Sequence, residues 1–404
     1  MRMSLMAIIF LFFSGAAFAL QGGLTTNGQL AQVRAQMTTN PTELSVGSPS
    51  AQASPNVSGV PANGQDATAK KKKSDPGKTR PKIARLPTIR DTRLGYVDGA
   101  IIGSQVRIRF DAAFNDNASD RAEYFYAQYA GITPQSPGPG FVIAKLNFQQ
   151  LYLRAEYAPM KNTRFSFFAD VPVRWIQPLV TVASNSSTNT PINATNQGGL
   201  SDVAGGFKLA AVASPNQFLT LQFKAYFPSG NASTGLGTHH YSFEPSLLYY
   251  RRLSDRLTLE AQVGDSHPIG GSSCPMISPM PNHPTAVCIA DVSGTGSNSG
   301  FAGDVVFYGA GASYVLYQGR TVQIAPVIEL VSWSVLGGLS TDIATATQQF
   351  QQAVSAADIN ILALKVGART SIGKHSSIYL GGGYAVTHSR WYEDILRAEY
   401  RYSF

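Results

Sequence analysis

After residue 20 the chain has no run approaching the roughly 18 apolar residues of a membrane-spanning helix, although 44% of it is hydrophobic. A bundle of spanning helices is thereby excluded. A membrane-spanning β-barrel is not, because its strands are about ten residues long and alternate instead of running apolar. Cysteine is almost absent: Cys274 and Cys288 are the only two in 404 residues. There is no G-x-S-x-G nucleophile elbow to go with the His239-His240 pair and Ser242, and adjacent histidines on a strand point to opposite faces. The glycine clusters Gly309-Ala310-Gly311 and Gly381-Gly382-Gly383 lack a following helix, so they read as close packing or curvature and not as phosphate loops. No catalytic residue, metal site or cofactor is expected.

An excess of basic over acidic residues is lacking outside one segment. Residues 70–93 hold ten Lys and Arg against two acids, which accounts for the whole formal charge of +8. The basicity therefore belongs to a stretch of chain and not to a basic fold, and nucleic acid is not an expected partner. Upstream, Met1 to Ala19 have the anatomy of a secretory signal: Arg2, an apolar core over Met6–Phe13, and Ala17-Phe18-Ala19 as a small-x-small cleavage site. Cleavage after Ala19 is expected. Residues 20–97 are read as a disordered basic periplasmic tail, because the Gln, Ser, Thr, Asn, Gly and Pro that fill 20–90 bury too little surface to offset chain entropy. Within it Lys70, Lys71, Lys72 and Lys73 suit anionic cell-wall polymer or lipid head groups; a solvated spacer is the plainer reading.

From residue 98 to 404 the chain alternates polar and apolar residues in twelve segments: about 99–112, 147–158, 164–174, 200–212, 218–227, 240–251, 256–265, 303–316, 321–334, 357–371, 376–387, and a last one ending at 404. In the fifth, Leu219, Leu221, Phe223, Ala225 and Phe227 oppose Thr220, Gln222, Lys224 and Tyr226. Period-two alternation means strands with one apolar face. Core against solvent and lipid against lumen would produce the same pattern. The connections discriminate: they run long, short, long, short along the chain, as they do when short turns face the periplasm and long loops face outside. The expected fold is all-β, a transmembrane antiparallel β-barrel of about twelve strands with a disordered N-terminal extension. Pro245 and Pro326 fall inside strands, where a missing ladder donor predicts local bulges or shifted boundaries.

The final strand puts Leu396, Ala398, Tyr400, Tyr402 and Phe404 on one face and Arg397, Glu399, Arg401 and Ser403 on the other. It resembles the closing strand of bacterial outer-membrane barrels, which implies that Tyr400, Tyr402 and Phe404 belong to a signal read by the barrel assembly machinery. Residues 200–265 carry G-L-S-D-V, then Y-F-P-S-G-N-A-S-T-G-L-G-T, then F-E-P-S-L-L-Y-Y-R-R-L-S-D-R-L-T-L. This texture resembles the outer-membrane transporters grouped with the meta-cleavage pathway of phenol degradation. The resemblance implies an outer-membrane barrel, surrounded by outer-membrane lipid, that takes up small, including aromatic, compounds. The long basic tail and the cysteine-bearing loop depart from the pattern.

On the polar parity lie Arg154, Glu156, Asp170, Arg174, Lys224, Glu244, Glu260, Glu329, Lys365, Arg369, Arg397, Glu399 and Arg401. They are the lumen-lining candidates, with two readings: a permeation path, or salt bridges that brace and plug the lumen. The expected function is an outer-membrane channel for passive uptake of small solutes, aromatic or hydrophobic ones among them. Its alternatives are a structural or adhesive barrel with a cell-wall-binding tail, and an outer-membrane lipid hydrolase. Cys274 and Cys288 share one external loop, and in an oxidising compartment a disulfide is expected. The rival is a two-cysteine metal site with His267 or His283, whose spacing fits no standard zinc pattern. A thiol reagent is expected to label Cys274 and Cys288 only after reduction; labelling of the untreated protein would contradict the bridge.

Overall fold

The computed structural model describes residues 86–118, 142–159, 164–182, 195–269, 302–341 and 353–404. The signal segment 1–19, Lys70–Lys73, Cys274, His283 and Cys288 lie outside them. Twelve long strands make the wall: β1 Gln105–Asp116, β2 Val142–Tyr157, β3 Phe165–Val182, β4 Val203–Ala213, β5 Gln217–Phe227 and β6 Tyr241–Arg252. They continue as β7 Leu257–Ile269, β8 Val305–Tyr314, β9 Val322–Val335, β10 Asn360–Ile372, β11 Ser376–Ala385 and β12 Asp394–Ser403. Each pairs antiparallel with its neighbour in sequence, and β12 pairs back on β1 from Gln105↔Ser403 to Phe114↔Asp394. The sheet is closed, so the twelve wall strands leave no edge unpaired. Short strands at Gln197–Leu200 and Tyr317–Gln318 add to β3 and β9.

Tight connections such as 214–216, 253–256 and 373–375 gather at one rim, and the long ones at the other. Parity sorts the two faces of the wall. Outward lie Leu153, Phe167, Val171, Phe207, Leu221, Leu247, Val263, Ile328, Val366 and Leu396, all exposed. Phe207, Phe223 and Phe243 form an aromatic row across three strands, with ring centroids 5.7 and 5.5 Å apart. Tyr157, Tyr249, Tyr314 and Tyr402 mark the short-turn rim, and Trp175, Phe227, Tyr241 and Tyr384 the other, two aromatic girdles around an apolar belt. A surface so apolar needs lipid around it, and the chain is an outer-membrane-type barrel.

Three sequence expectations need correction. The first strand begins at Gln105 and not near 99, because the residues before it do not join the wall. Residues 86–104 instead run inside the barrel, so the part of the tail from 86 to 97 is placed, with Leu94 1%, Val97 3% and Ile101 2% exposed. Pro245 makes no bulge. The β6–β7 register is the same on both sides of it, Phe243↔His267 and Ser246↔Gly264, and the ladder skips the rungs between. Pro326 sits where the pairing of β9 with β8 stops, its first rung being Val327↔Ser313.

The glycine clusters have a packing reason. A Cβ on Gly367 or Gly381 would strike the hydroxyl end of Tyr379, whose buried ring fills the lumen beside them. The belt is tested from outside. Leu221→Arg, at mid-height on β5, is expected to cost about 2–4 kcal/mol of folding free energy in lipid vesicles. An unchanged denaturation midpoint would mean that this face does not meet hydrocarbon.

Candidate functional site: the filled lumen

Residues 86–104 enter at the short-turn rim, where β1 also begins, rise to a reversal at Gly95–Asp98 and return. The 3₁₀ turn Ile89–Asp91 is closed by a capping box, with the Asp91 carboxylate taking the Thr88 N–H at 2.8 Å. Beyond it the segment makes no strand pairing with the wall. Its backbone groups are met by charged and polar side chains, as a buried backbone without water requires.

The tip shows the arrangement. Gly95 N–H donates to Glu329 Oε1 at 2.8 Å, and the N–H groups of Tyr96 and Val97 donate to Oε2 at 2.8 and 3.1 Å. Three successive amides converge on one carboxylate, a backbone nest that stabilises its charge. Glu260 does the same one turn lower, taking Arg93 N–H at 2.7 Å and Leu94 N–H at 3.4 Å. Gln262 Oε1 accepts from Asp98 N–H at 2.8 Å. The carbonyls of the segment meet cations. Arg369 donates from Nε to Arg93 O at 2.9 Å and from Nη2 to Leu94 O at 3.0 Å. Arg397 donates to Gly95 O at 2.5 Å, Arg401 to Thr92 O at 3.2 Å and Lys208 to Gly99 O at 3.0 Å. Thr220 Oγ1 reaches Ala100 O at 2.6 Å.

The segment also brings a carboxylate among the wall's cations. Asp98 lies 3.5 Å from Arg154, 3.7 Å from Arg107 and 4.0 Å from Lys224, with Gln222 donating to it at 3.1 Å. Other wall charges pair with one another. Arg397 grips Asp111 with two bonds of 2.7 Å, Lys224 meets Glu244 at 2.6 Å, and Lys208 meets Glu156 at 3.3 Å. Glu399 gathers Arg369 at 2.8 Å, Arg401 at 3.1 Å and Arg107 at 3.6 Å. Removing one member of such a buried set strands its partner, which costs more than the pair contributes.

All thirteen candidates from the sequence face inward, and they divide by role. Glu260, Glu329, Arg369, Arg397 and Arg401 hold the inserted backbone, while Arg154 and Lys224 hold Asp98. Glu156, Asp170, Glu244 and Glu399 balance those cations, Asp170 at 3.6 Å from Arg154. Arg174 donates to Gln150 at 2.9 Å. Lys365 donates to the Tyr392 hydroxyl at 2.7 Å, and its ammonium stands 4.7 Å from the Tyr96 ring centre. The sequence reading left out Asp98, Arg107, Asp111, Lys208, Thr220 and Gln262. Arg107 and Asp111 stood on the polar parity of β1 and Lys208 on that of β4, so the signal was present. Asp98 carried none, since it stood at the head of the barrel region and nothing local says that the chain there turns into the lumen.

Beyond the tip, the outer part of the lumen is apolar. Leu94 and Val97 join Leu146, Phe148, Ile176 and Val331 in one buried cluster, covered by Trp391 and Tyr392 from the 386–393 connection. The gap left on the other side, between Asp98, Arg107, Arg154, Lys208 and Arg401, measures about 10 Å³, room for roughly one water. Around the inserted segment the described residues fill the lumen. His240, weighed above as a base, has Nδ1 2.9 Å from Thr238 O, and its place is on the connection that enters β6.

Residues 133–265 match the family model described as "Putative MetA-pathway of phenol degradation", about a third of the chain. No curated protein matches the sequence. Among solved structures the chain is similar to the COG4313 outer membrane channel from Pseudomonas putida F1, at 11% identity over 78% of this chain and 100% of that one, TM-score 0.44. It is also similar to the β domain of the Bordetella autotransporter BrkA, at 13% identity over 75% and 100%, TM-score 0.41. These are remote likenesses; the closed sheet itself decides the fold.

The nest gives a direct test. In Glu329→Ala three amides lose their acceptor, at about 1–3 kcal/mol for each buried group left unsatisfied. Hydrogen exchange at residues 93–98 is expected to speed up while the wall strands stay protected. Equal protection in variant and parent would mean that Glu329 does not hold the segment.

Proposed function

We propose that the protein is an outer-membrane channel for passive uptake of small solutes, closed at rest by residues 86–104 and open when they shift. One observation carries this reading: between Arg93 and Ala100 the segment is held by wall side chains and shares no ladder with the wall, and a backbone bond to the wall's end comes only at Ser104, whose carbonyl takes Phe404 N–H at 3.2 Å. A filler that belonged to the sheet could leave only by breaking the barrel. This one leaves by exchanging hydrogen bonds, and the wall charges it abandons are of both signs and can pair with one another or with water. Aromatic or hydrophobic solutes are the favoured cargo. Two things support that choice: the apolar outer lumen around Phe148, Trp333, Trp391 and Tyr392, and the phenol-degradation description of the family matched by residues 133–265.

The same reading includes export with cleavage after Ala19, assembly through the barrel machinery with Tyr400, Tyr402 and Phe404 in its signal, and a Cys274–Cys288 disulfide. It makes the protein a conduit and not an enzyme. A filled lumen also suits a purely structural barrel whose Lys70–Lys73 segment grips anionic cell-wall polymer, and this is the reading to be separated.

Gly95→Leu separates them, because a Cβ on Gly95 would overlap the ring of Tyr379 on β11 and push out the tip while every wall residue keeps its identity. In planar bilayers the parent protein is expected to give small or infrequent openings and the variant large, stable ones, with the heat-dependent gel shift of a folded barrel kept in both. Closed barrels in both, still folded, would defeat the channel.

A further inference from the structure

A second cluster of side chains lies outside the lumen altogether. On β7, Leu259 and Val263 face outward in the apolar belt, and the same parity then reaches Asp265 and His267. Asp265 pairs with Val306 and Ser266 with Val305, so Asp304, just before β8, falls opposite His267. Its Oδ1 is 2.6 Å from His267 Nδ1. One ligand-capable atom from each of Asp265, His267 and Asp304 lies within 4.8 Å of the others. The three therefore share a patch at the upper border of the belt, two from β7 and one from the residue that leads into β8.

Two features are hard to explain without a further partner. Two carboxylates stand together on the lipid-side parity, where among the described residues His267 is the one basic group paired with them. Moreover, although Asp265 is partly exposed, its Oδ1 is turned away from solvent and has no hydrogen-bond donor among the described residues. A buried carboxylate oxygen with nothing to accept from is costly, and a cation answers the need without a donor.

We propose that Asp265, His267 and Asp304 form a divalent transition-metal site on the outer wall. One imidazole nitrogen and two carboxylate oxygens suit zinc and its first-row neighbours better than magnesium or calcium, which prefer all-oxygen shells. The charges match, two carboxylates against one dication with a neutral imidazole. The ion takes the place of the hydrogen between His267 Nδ1 and Asp304 Oδ1 and draws in Asp265, with water completing the shell. Metal binding at this place staples β7 to the start of β8, across the connection that carries Cys274 and Cys288.

The test uses the full chain in detergent, stripped of metal and titrated with Co²⁺, whose visible absorption reports its ligands. One Co²⁺ per barrel is expected, displaced by Zn²⁺, with no thiolate charge-transfer band, and retained when Cys274 and Cys288 are both changed to Ser. Asp265→Asn, His267→Gln and Asp304→Asn should each weaken binding by at least about tenfold, since even outer-shell changes cost 10–100-fold. The gel shift of the folded barrel should persist in all of them. Absence of binding, a thiolate band, or equal affinity in the three variants would overturn the site.

Discussion

Every structural choice in this barrel follows from the need to pair backbone N–H and C=O groups where water is scarce. In the wall the neighbouring strands do this, and closure of β12 on β1 removes the last unpaired edge. In the lumen the inserted segment cannot join a sheet that is already closed. Its amides turn to Glu260, Glu329 and Gln262, and its carbonyls to Arg369, Arg397, Arg401, Lys208 and Thr220. The charged lumen is thus the second half of one hydrogen-bonding solution.

That solution explains why charges of both signs are buried so deeply. Glu329 and Arg369 are each 1% exposed, a value that would be prohibitive for isolated ions. They are not isolated. Each carboxylate that binds amides stands near guanidinium groups that bind carbonyls, so the backbone dipoles of the segment are clamped at both ends. Side-chain bonds of this kind are individually modest, about 1.5–3 kcal/mol where a charge takes part, and they act as a set. The segment is held firmly yet without any link that must be rebuilt strand by strand, which is the property expected of a removable stopper.

The two faces of the wall show the same residues under different solvents. Outward parity tolerates almost no charge through the belt, and the Asp265–His267–Asp304 group appears only where the belt ends. Inward parity collects the charges and then gives way, in the outer half, to Phe148, Ile176, Trp391 and Tyr392.

Much of this was legible in the residues alone. Period-two alternation assigned the faces, so that all thirteen charged candidates were found inside, and the rhythm of connections led to twelve strands and their orientation. These are local properties: a side chain's face depends on its parity, and a turn's length can be counted. The path of residues 86–104 was not legible. Gly95, Tyr96 and Val97 have no apolar period, and their amides are satisfied by Glu329, more than 230 positions away in the chain. Nor did sequence say whether Arg397 lines an open path or grips Asp111 and Gly95. Parity places a side chain in the lumen; only the closed barrel, by bringing distant strands around one axis, decides what it meets there.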